Sequence, residues 1–160
     1  MLIEPLFANA ARHPREMAII DDRGRYTYEQ LAAMAGGFGT YIASQTRRPR
    51  VGLMLPSGAG FVAAFYGALL AGKVVVPINF LLGEHEIAHC IQDSGIDTVL
   101  TVPQLGARLA KTPLNVRDIT TISPSLPAAD PSSVHCAADD VAVLIYTSGS
   151  SGLPKGVLLT

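Results

Sequence analysis

The chain has 160 residues, 49% of them hydrophobic and 16% charged, with 12 basic side chains against 13 acidic ones and a formal net charge of −1. That length suits one domain able to bury roughly 70% of its unfolded surface, and high apolar content with little net charge excludes disorder as the overall state. The even charge balance, the absence of Trp and an aromatic content of 6% argue against a nucleic-acid partner held by a basic field or by base stacking.

In chain order, a helix is predicted near Leu2 to Arg12, stopped by Pro14. Met17 to Asp21 and Arg25 to Tyr28 read as a hairpin around an Asp22-Arg23-Gly24 turn. Thr27 with Gln30 makes a capping box that starts the next helix, with Leu31, Met34, Phe38 and Tyr41 on one face. Gly36, Gly37 and Gly39 weaken that helix by about 1 kcal/mol each, so it must gain from close packing, expected against a sheet.

A strand over Val51 to Leu55 follows, then a helix capped by Ser57, carrying Phe61, Phe65, Ala68 and Leu69 and ending at Gly72. Val74, Val75 and Val76 read as a central parallel strand covered on both faces. Glu84 to Ser94 is a helix ended by Gly95, Thr98 to Val102 a strand, Gln104 to Ala110 a short helix, and Ile119 to Ile122 another strand. Ser123 to Asp140, with three prolines among serines and alanines, reads as an exposed linker. Val141 to Tyr146 and Val157 to Leu159 are strands that flank a Ser/Gly-rich loop over residues 146–156. The alternation predicts an α/β fold with a largely parallel sheet flanked by helices. The pattern stops at Thr160 without a turn or cap, so the chain is expected to be part of a longer protein.

Cys90 and Cys136 are too few for a disulfide scaffold or a thiolate zinc site and read as reduced thiols of a cytoplasmic protein. The N-terminus has no signal-peptide pattern. The longest charge-free run, Val51 to Gly72, is broken by Pro56, Ser57, Gly58 and Gly60, which leaves the length of a buried helix and no membrane span.

Two motifs carry chemistry. His85-Glu86-Ile87-Ala88-His89 matches the H-E-x-x-H zinc signature, which would use both imidazoles as ligands and Glu86 as general base. A third ligand is missing, since no glutamate follows Glu86 and Gln92 and Gly95 occupy the extended motif's positions. The apolar side of this helix is Ile87, Ala88, Cys90 and Ile91, so the histidines are expected on the solvated face with Gln92 and Asp93. A zinc peptidase is therefore the weaker reading, and no metal ligand is assigned.

The second motif is Thr147-Ser148-Gly149-Ser150-Ser151-Gly152-Leu153-Pro154-Lys155-Gly156. It lacks Walker A spacing, and a strand follows it where a P-loop would have a helix. Its composition nonetheless suits a polyphosphate. Glycines let backbone N–H groups turn toward an anion, hydroxyls donate to phosphate oxygens, and Lys155 adds a charge after Pro154 stiffens the chain.

Tyr146 to Gly156 closely resembles the signature loop of the adenylate-forming, or AMP-binding, enzymes: acyl-CoA synthetases, luciferases and peptide-synthetase adenylation domains. Tyr26-Thr27-Tyr28-Glu29-Gln30-Leu31 resembles the family's first core motif, Ala68 to Asn79 its second, and Glu86 to Gly95 its helix there, which makes the zinc-like string a coincidence. The resemblance covers nearly the whole chain and implies the N-terminal part of such an enzyme's large domain, about a third of the whole. It also implies the reaction. A carboxylate attacks the α-phosphate of Mg-ATP, giving an acyl-adenylate and pyrophosphate, and a thiol of coenzyme A or an acyl carrier protein then displaces AMP.

In this resemblance Thr147, Ser148, Gly149, Ser150, Ser151 and Gly152 with Lys155 hold the β- and γ-phosphates. Most Mg2+ contacts, the adenine, ribose and acyl sites and the C-terminal catalytic lysine are expected beyond Thr160, so no catalytic residue is placed here and the chain alone is expected to be inactive. Val74-Val75-Val76-Pro77-Ile78-Asn79 and Phe61 to Gly67 resemble acyl-CoA or acyl-carrier-protein ligases more than peptide synthetases, which implies a fatty or other aliphatic acid. A non-catalytic interaction module is the remaining alternative.

Overall fold

The computed structural model describes residues 2–122, 128–134, 137, 139–147 and 152–160. Helix α1 (Glu4–Arg12) precedes an antiparallel hairpin of β1 (Met17–Asp21) and β2 (Gly24–Thr27) that stands apart from the main sheet. The capping box forms as expected: Gln30 N–H donates to Thr27 Oγ1 at 3.3 Å and Thr27 N–H to Gln30 Oε1 at 2.9 Å, opening α2 (Tyr28–Gln45). Then come β3 (Arg50–Met54), α3 (Ala59–Leu70), β4 (Val74–Pro77), α4 (Glu84–Ser94), β5 (Thr98–Thr101), the single turn α5 (Pro103–Gly106), β6 (Asn115–Asp118), β7 (Val143–Thr147) and β8 (Lys155–Leu159).

Six strands make the main sheet in the order β6-β5-β3-β4-β7-β8. The first five are parallel, and β8 runs antiparallel to β7 at the edge. Alternate side chains serve two cores. Val51, Leu53, Leu55, Val75, Leu100 and Val102 join the cluster under α2 and α3, whereas Met54, Val76, Val99 and Leu144 join Ile87 and Ile91 of α4. Both faces are covered, which is why these strands read as unbroken apolar runs.

Four local expectations are corrected. Helix α2 gains its close packing on α3, not on a sheet: Gly39 lies against Leu70 and the carbonyl of Gly67, and Gly67 against Phe38. Its buried face is Leu31, Ala35, Phe38, Gly39 and Ile42, with Met34 and Tyr41 half-buried at its flanks. Ser57 does not cap α3. The N-cap is Gly58, and the Asp21 carboxylate of the hairpin accepts the Ala59 N–H at 2.9 Å.

The predicted strand at Ile119 is a 3-10 turn over Ile119–Thr121. The strand lies earlier, over Asn115–Asp118, because Asp118 Oδ1 accepts from Thr120 N–H and Oγ1, both at 2.8 Å, and turns the chain. That turn sends Ile119 and Ile122 into the core as neighbours of α3's cluster. Finally, of the segment from Ser123 to Asp140, residues 123–127, 135–136 and 138 lie outside the described residues; most of the rest is exposed as expected, but Ala129 N–H donates to Gly36 O at 3.0 Å, and Ala129 and Val134 pack on the core.

Candidate functional site

Parallel strands present their carboxyl ends on one side of a sheet, and ligands of open α/β sheets collect in the crevice there. β4 and β7 pair in parallel through Val75 and Val143, so Thr147 stands at that end together with Met54, Pro77 and Thr101. β8 returns beside β7 with Leu144 opposite Leu158, Tyr146 opposite Gly156 and Thr147 opposite Lys155. The Ser/Gly connection therefore leaves and rejoins the sheet between adjacent antiparallel strands at its carboxyl edge.

Of the residues predicted to meet phosphate, Ser148, Gly149, Ser150 and Ser151 lie outside the described residues. Thr147, Gly152 and Lys155 are described, and all three are exposed. Gly152 has φ +108°, a conformation L side chains rarely adopt, which accounts for glycine there. The structure brings Thr147 and Lys155 together as opposed residues of the last ladder rung, an exposed ammonium beside an exposed hydroxyl.

Helix α4 lies against this hairpin, and here the histidine pair resolves. His85 is exposed, and Glu86 turns back to accept the Gly83 N–H at 2.8 Å, closing the helix start. Half-buried His89 does not sit on the solvated face. Its Nε2 lies 3.0 Å from the Pro154 carbonyl, and its ring meets Tyr146 edge to face at 6.5 Å. Ala88, expected on the apolar side, is exposed instead. The two histidines thus have separate surroundings, and among the described residues no three His, Cys, Asp or Glu side chains gather where a metal ion could bind.

Tyr146 OH donates to Asp93 Oδ2 at 2.6 Å. Burial, followed by this bond and the charge of Asp93, pushes the phenol well above its ordinary value, so it stays neutral. Cys90 behind it is buried, and burial, then Asp93 and Glu86, push its thiol up to about 11. Such a thiol is a core residue and a poor nucleophile. Arg50, His89, Asp93, Leu144, Pro154, Lys155, Gly156 and Leu158 line an open cleft between α4 and β8. The sequence reading assigned His89 and Asp93 to solvent, which holds for exposed Asp93 and fails for half-buried His89, and it missed that both reach the hairpin. Their spacing of four along a helix was the available signal, but it could not say which element the helix would meet.

The model of the AMP-binding enzyme family matches residues 6–160. The chain belongs to that family. It is 34% identical over 149 residues to the long-chain-fatty-acid–CoA ligase FadD13 of Mycobacterium tuberculosis, a match covering 85% of this chain and 30% of that protein. It is 31% identical over 155 residues to a feruloyl-CoA synthase of Amycolatopsis, covering 94% of this chain and 31% of that protein. The inhibitor-bound N-terminal domain of FACL13 from M. tuberculosis superposes with a TM-score of 0.87 at 28% identity, covering 99% of this chain and 44% of that one. The chain thus spans about a third of the length of these curated relatives. AMP-binding enzymes in general use ATP, Mg2+ and a coenzyme A or carrier-protein thiol. Lys155 and Thr147, two of the residues predicted to meet phosphate, are exposed, and the described residues supply no cluster of three His, Cys, Asp or Glu for the cation. No helix among them is long and apolar enough to cross a membrane.

Proposed function

We propose that these residues form the N-terminal part of the large domain of a cytoplasmic acid–thiol ligase. The enzyme activates a carboxylic acid with ATP as an acyl-adenylate and passes the acyl group to coenzyme A or an acyl carrier protein. In the first step a carboxylate oxygen bonds to the α-phosphorus while the bond to the β-phosphate breaks and pyrophosphate leaves. In the second the thiol sulfur takes the acyl carbon and AMP leaves. The part given to this chain is to hold the β- and γ-phosphates with the loop from Thr147 to Gly152 and with Lys155, whose charge offsets that of the departing pyrophosphate. Mg2+, held by residues elsewhere in the enzyme, neutralises phosphate charge in such reactions. The observation that supports this most is the β7–β8 hairpin, which sets Lys155 opposite Thr147 at the carboxyl edge of the parallel sheet.

An aliphatic acid is the proposed substrate, supported by the Val74 to Asn79 segment and by the 34% identity to a long-chain fatty-acid ligase. Carboxylate-dependent ATP–pyrophosphate exchange by the full-length enzyme is the test, with fatty acids, ferulate and amino acids compared. Activation of amino acids or ferulate with fatty acids ignored would overturn the substrate proposal. Lys155→Ala should lower exchange about tenfold to a hundredfold, the worth of one charge-assisted hydrogen bond, without changing the melting temperature; undiminished exchange refutes the role of Lys155. Residues 1–160 alone should show no exchange and bind ATP at about millimolar Kd or weaker, because a phosphate loop without adenine and ribose contacts yields about −4 kcal/mol at best.

A further inference from the structure

Helix α4 is fixed at both of its ends. Glu86 closes its start on Gly83 N–H, and Arg50 Nη1 of β3 donates to the carbonyl of Ser94 in its last turn at 2.9 Å. From this braced helix two side chains one turn apart reach the two shoulders of the Ser/Gly loop. Asp93 takes the hydroxyl of Tyr146, at the end of β7, and His89 reaches the carbonyl of Pro154, the last residue before β8. Pro154 is buried, whereas Leu153 and Lys155 on either side of it are exposed. A proline has no N–H, so its carbonyl is the only backbone group by which it can be held. That oxygen only accepts, so His89 Nε2 carries the proton.

We propose that His89 and Asp93 are positioning residues. They clamp the shoulders of the loop to α4, and His89 sets the direction in which Lys155 meets the polyphosphate. This rests on the proposed ATP-binding role of the loop and adds to it residues that touch no substrate themselves. Among the described residues β8 is an edge strand paired with β7 alone, so without this bond the nearest backbone hydrogen bonding to Pro154 is the ladder rung at Lys155.

The test uses the full-length enzyme with His89→Ala, His89→Gln and Tyr146→Phe. The glutamine amide can donate from about the place of Nε2. His89→Ala should raise the KM for MgATP about tenfold, the loss of one neutral hydrogen bond, and leave the carboxylate KM within about twofold. His89→Gln should recover most of it, and Tyr146→Phe should act in the same direction as His89→Ala. Equal carboxylate and MgATP effects, a fall in kcat alone, or no recovery in His89→Gln would overturn the proposal. Hydrogen exchange at the Lys155 and Gly156 amides is read in parallel and needs no activity. It should be faster in His89→Ala and return to the wild-type rate in His89→Gln; unchanged exchange refutes the clamp. If the wild type neither binds MgATP nor exchanges pyrophosphate while the amides still follow His89, it is the nucleotide reading that fails and the clamp that survives.

Discussion

Asp21 ties the hairpin to helix α3 through one carboxylate. Its Oδ1 accepts from Arg23 and Gly24 N–H at 2.9 and 3.0 Å, and its Oδ2 accepts from Ala59 N–H at 2.9 Å, the first residue of α3. The cap residue of that helix, Gly58, has no side chain to do this, and at its φ of +151° a Cβ would come within 2.8 Å of Asp21 Oδ2. The Ala59 N–H, more than the other donors and against some desolvation, holds the Asp21 carboxyl below the usual carboxylate range. A carboxyl more acidic in the folded state contributes stability that is complete above its unfolded pKa and is lost as the pH falls through the folded value. Asp21→Asn should therefore melt below the wild type at pH 7, with the gap closing as the pH falls below about 4. A gap that is the same at pH 7 and pH 3 would show that the charge of Asp21 is not the link.

At the scale of elements, the α2–α3 crossing depends on absent side chains. A Cβ on Gly67 would lie 2.5 Å from Phe38 Cβ and 2.9 Å from the backbone of Ala35 and Gly39, none of which can swing aside. A Cβ on Gly36 would meet Ala128 Cβ at 2.6 Å, but Ala128 is exposed and lies in the connecting segment. Alanine gains about 1 kcal/mol over glycine in a helix interior, while overpacking a rigid contact costs about 2–3 kcal/mol. Gly67→Ala should thus lose about 1–2 kcal/mol net in urea unfolding, and Gly36→Ala should lose less than that while displacing residues 128–129. Equal losses in the two variants would mean that the segment over α2 is as rigid as α3 itself.

Across the whole molecule the two ends of the sheet differ. β6 is a half-buried edge, whereas every residue of β8 is exposed. Val157, Leu158 and Leu159 are 43%, 55% and 44% exposed, and Ile145 and Leu153 beside them are 36% and 41% exposed. An apolar edge strand with an unpaired side templates association. Residues 1–160 should accordingly self-associate, with a sedimentation coefficient that rises with concentration and falls back in Leu158→Lys. A concentration-independent monomer would show that this edge is solvated well enough to stand alone.

The sequence by itself determined the element order, the parallel character of the sheet and the place of the Ser/Gly loop between two strands. These rest on local signals: the Thr27–Gln30 box, Gly95 as a left-handed helix stop, and valine runs too apolar for any surface strand. The family was legible for the same reason, since its motifs are contiguous. What only the tertiary structure decided were contacts between residues distant along the chain. Asp21 replaces Ser57 as the cap of α3 across 38 positions, α2 packs on α3 where a sheet was expected, and His89 leaves the solvated face for Pro154 across 65 positions. A helical wheel shows which residues share a face. Which element covers that face depends on how the sheet orders its strands, and here β7 and β8 pair beyond β4, which brings the loop's shoulders under α4.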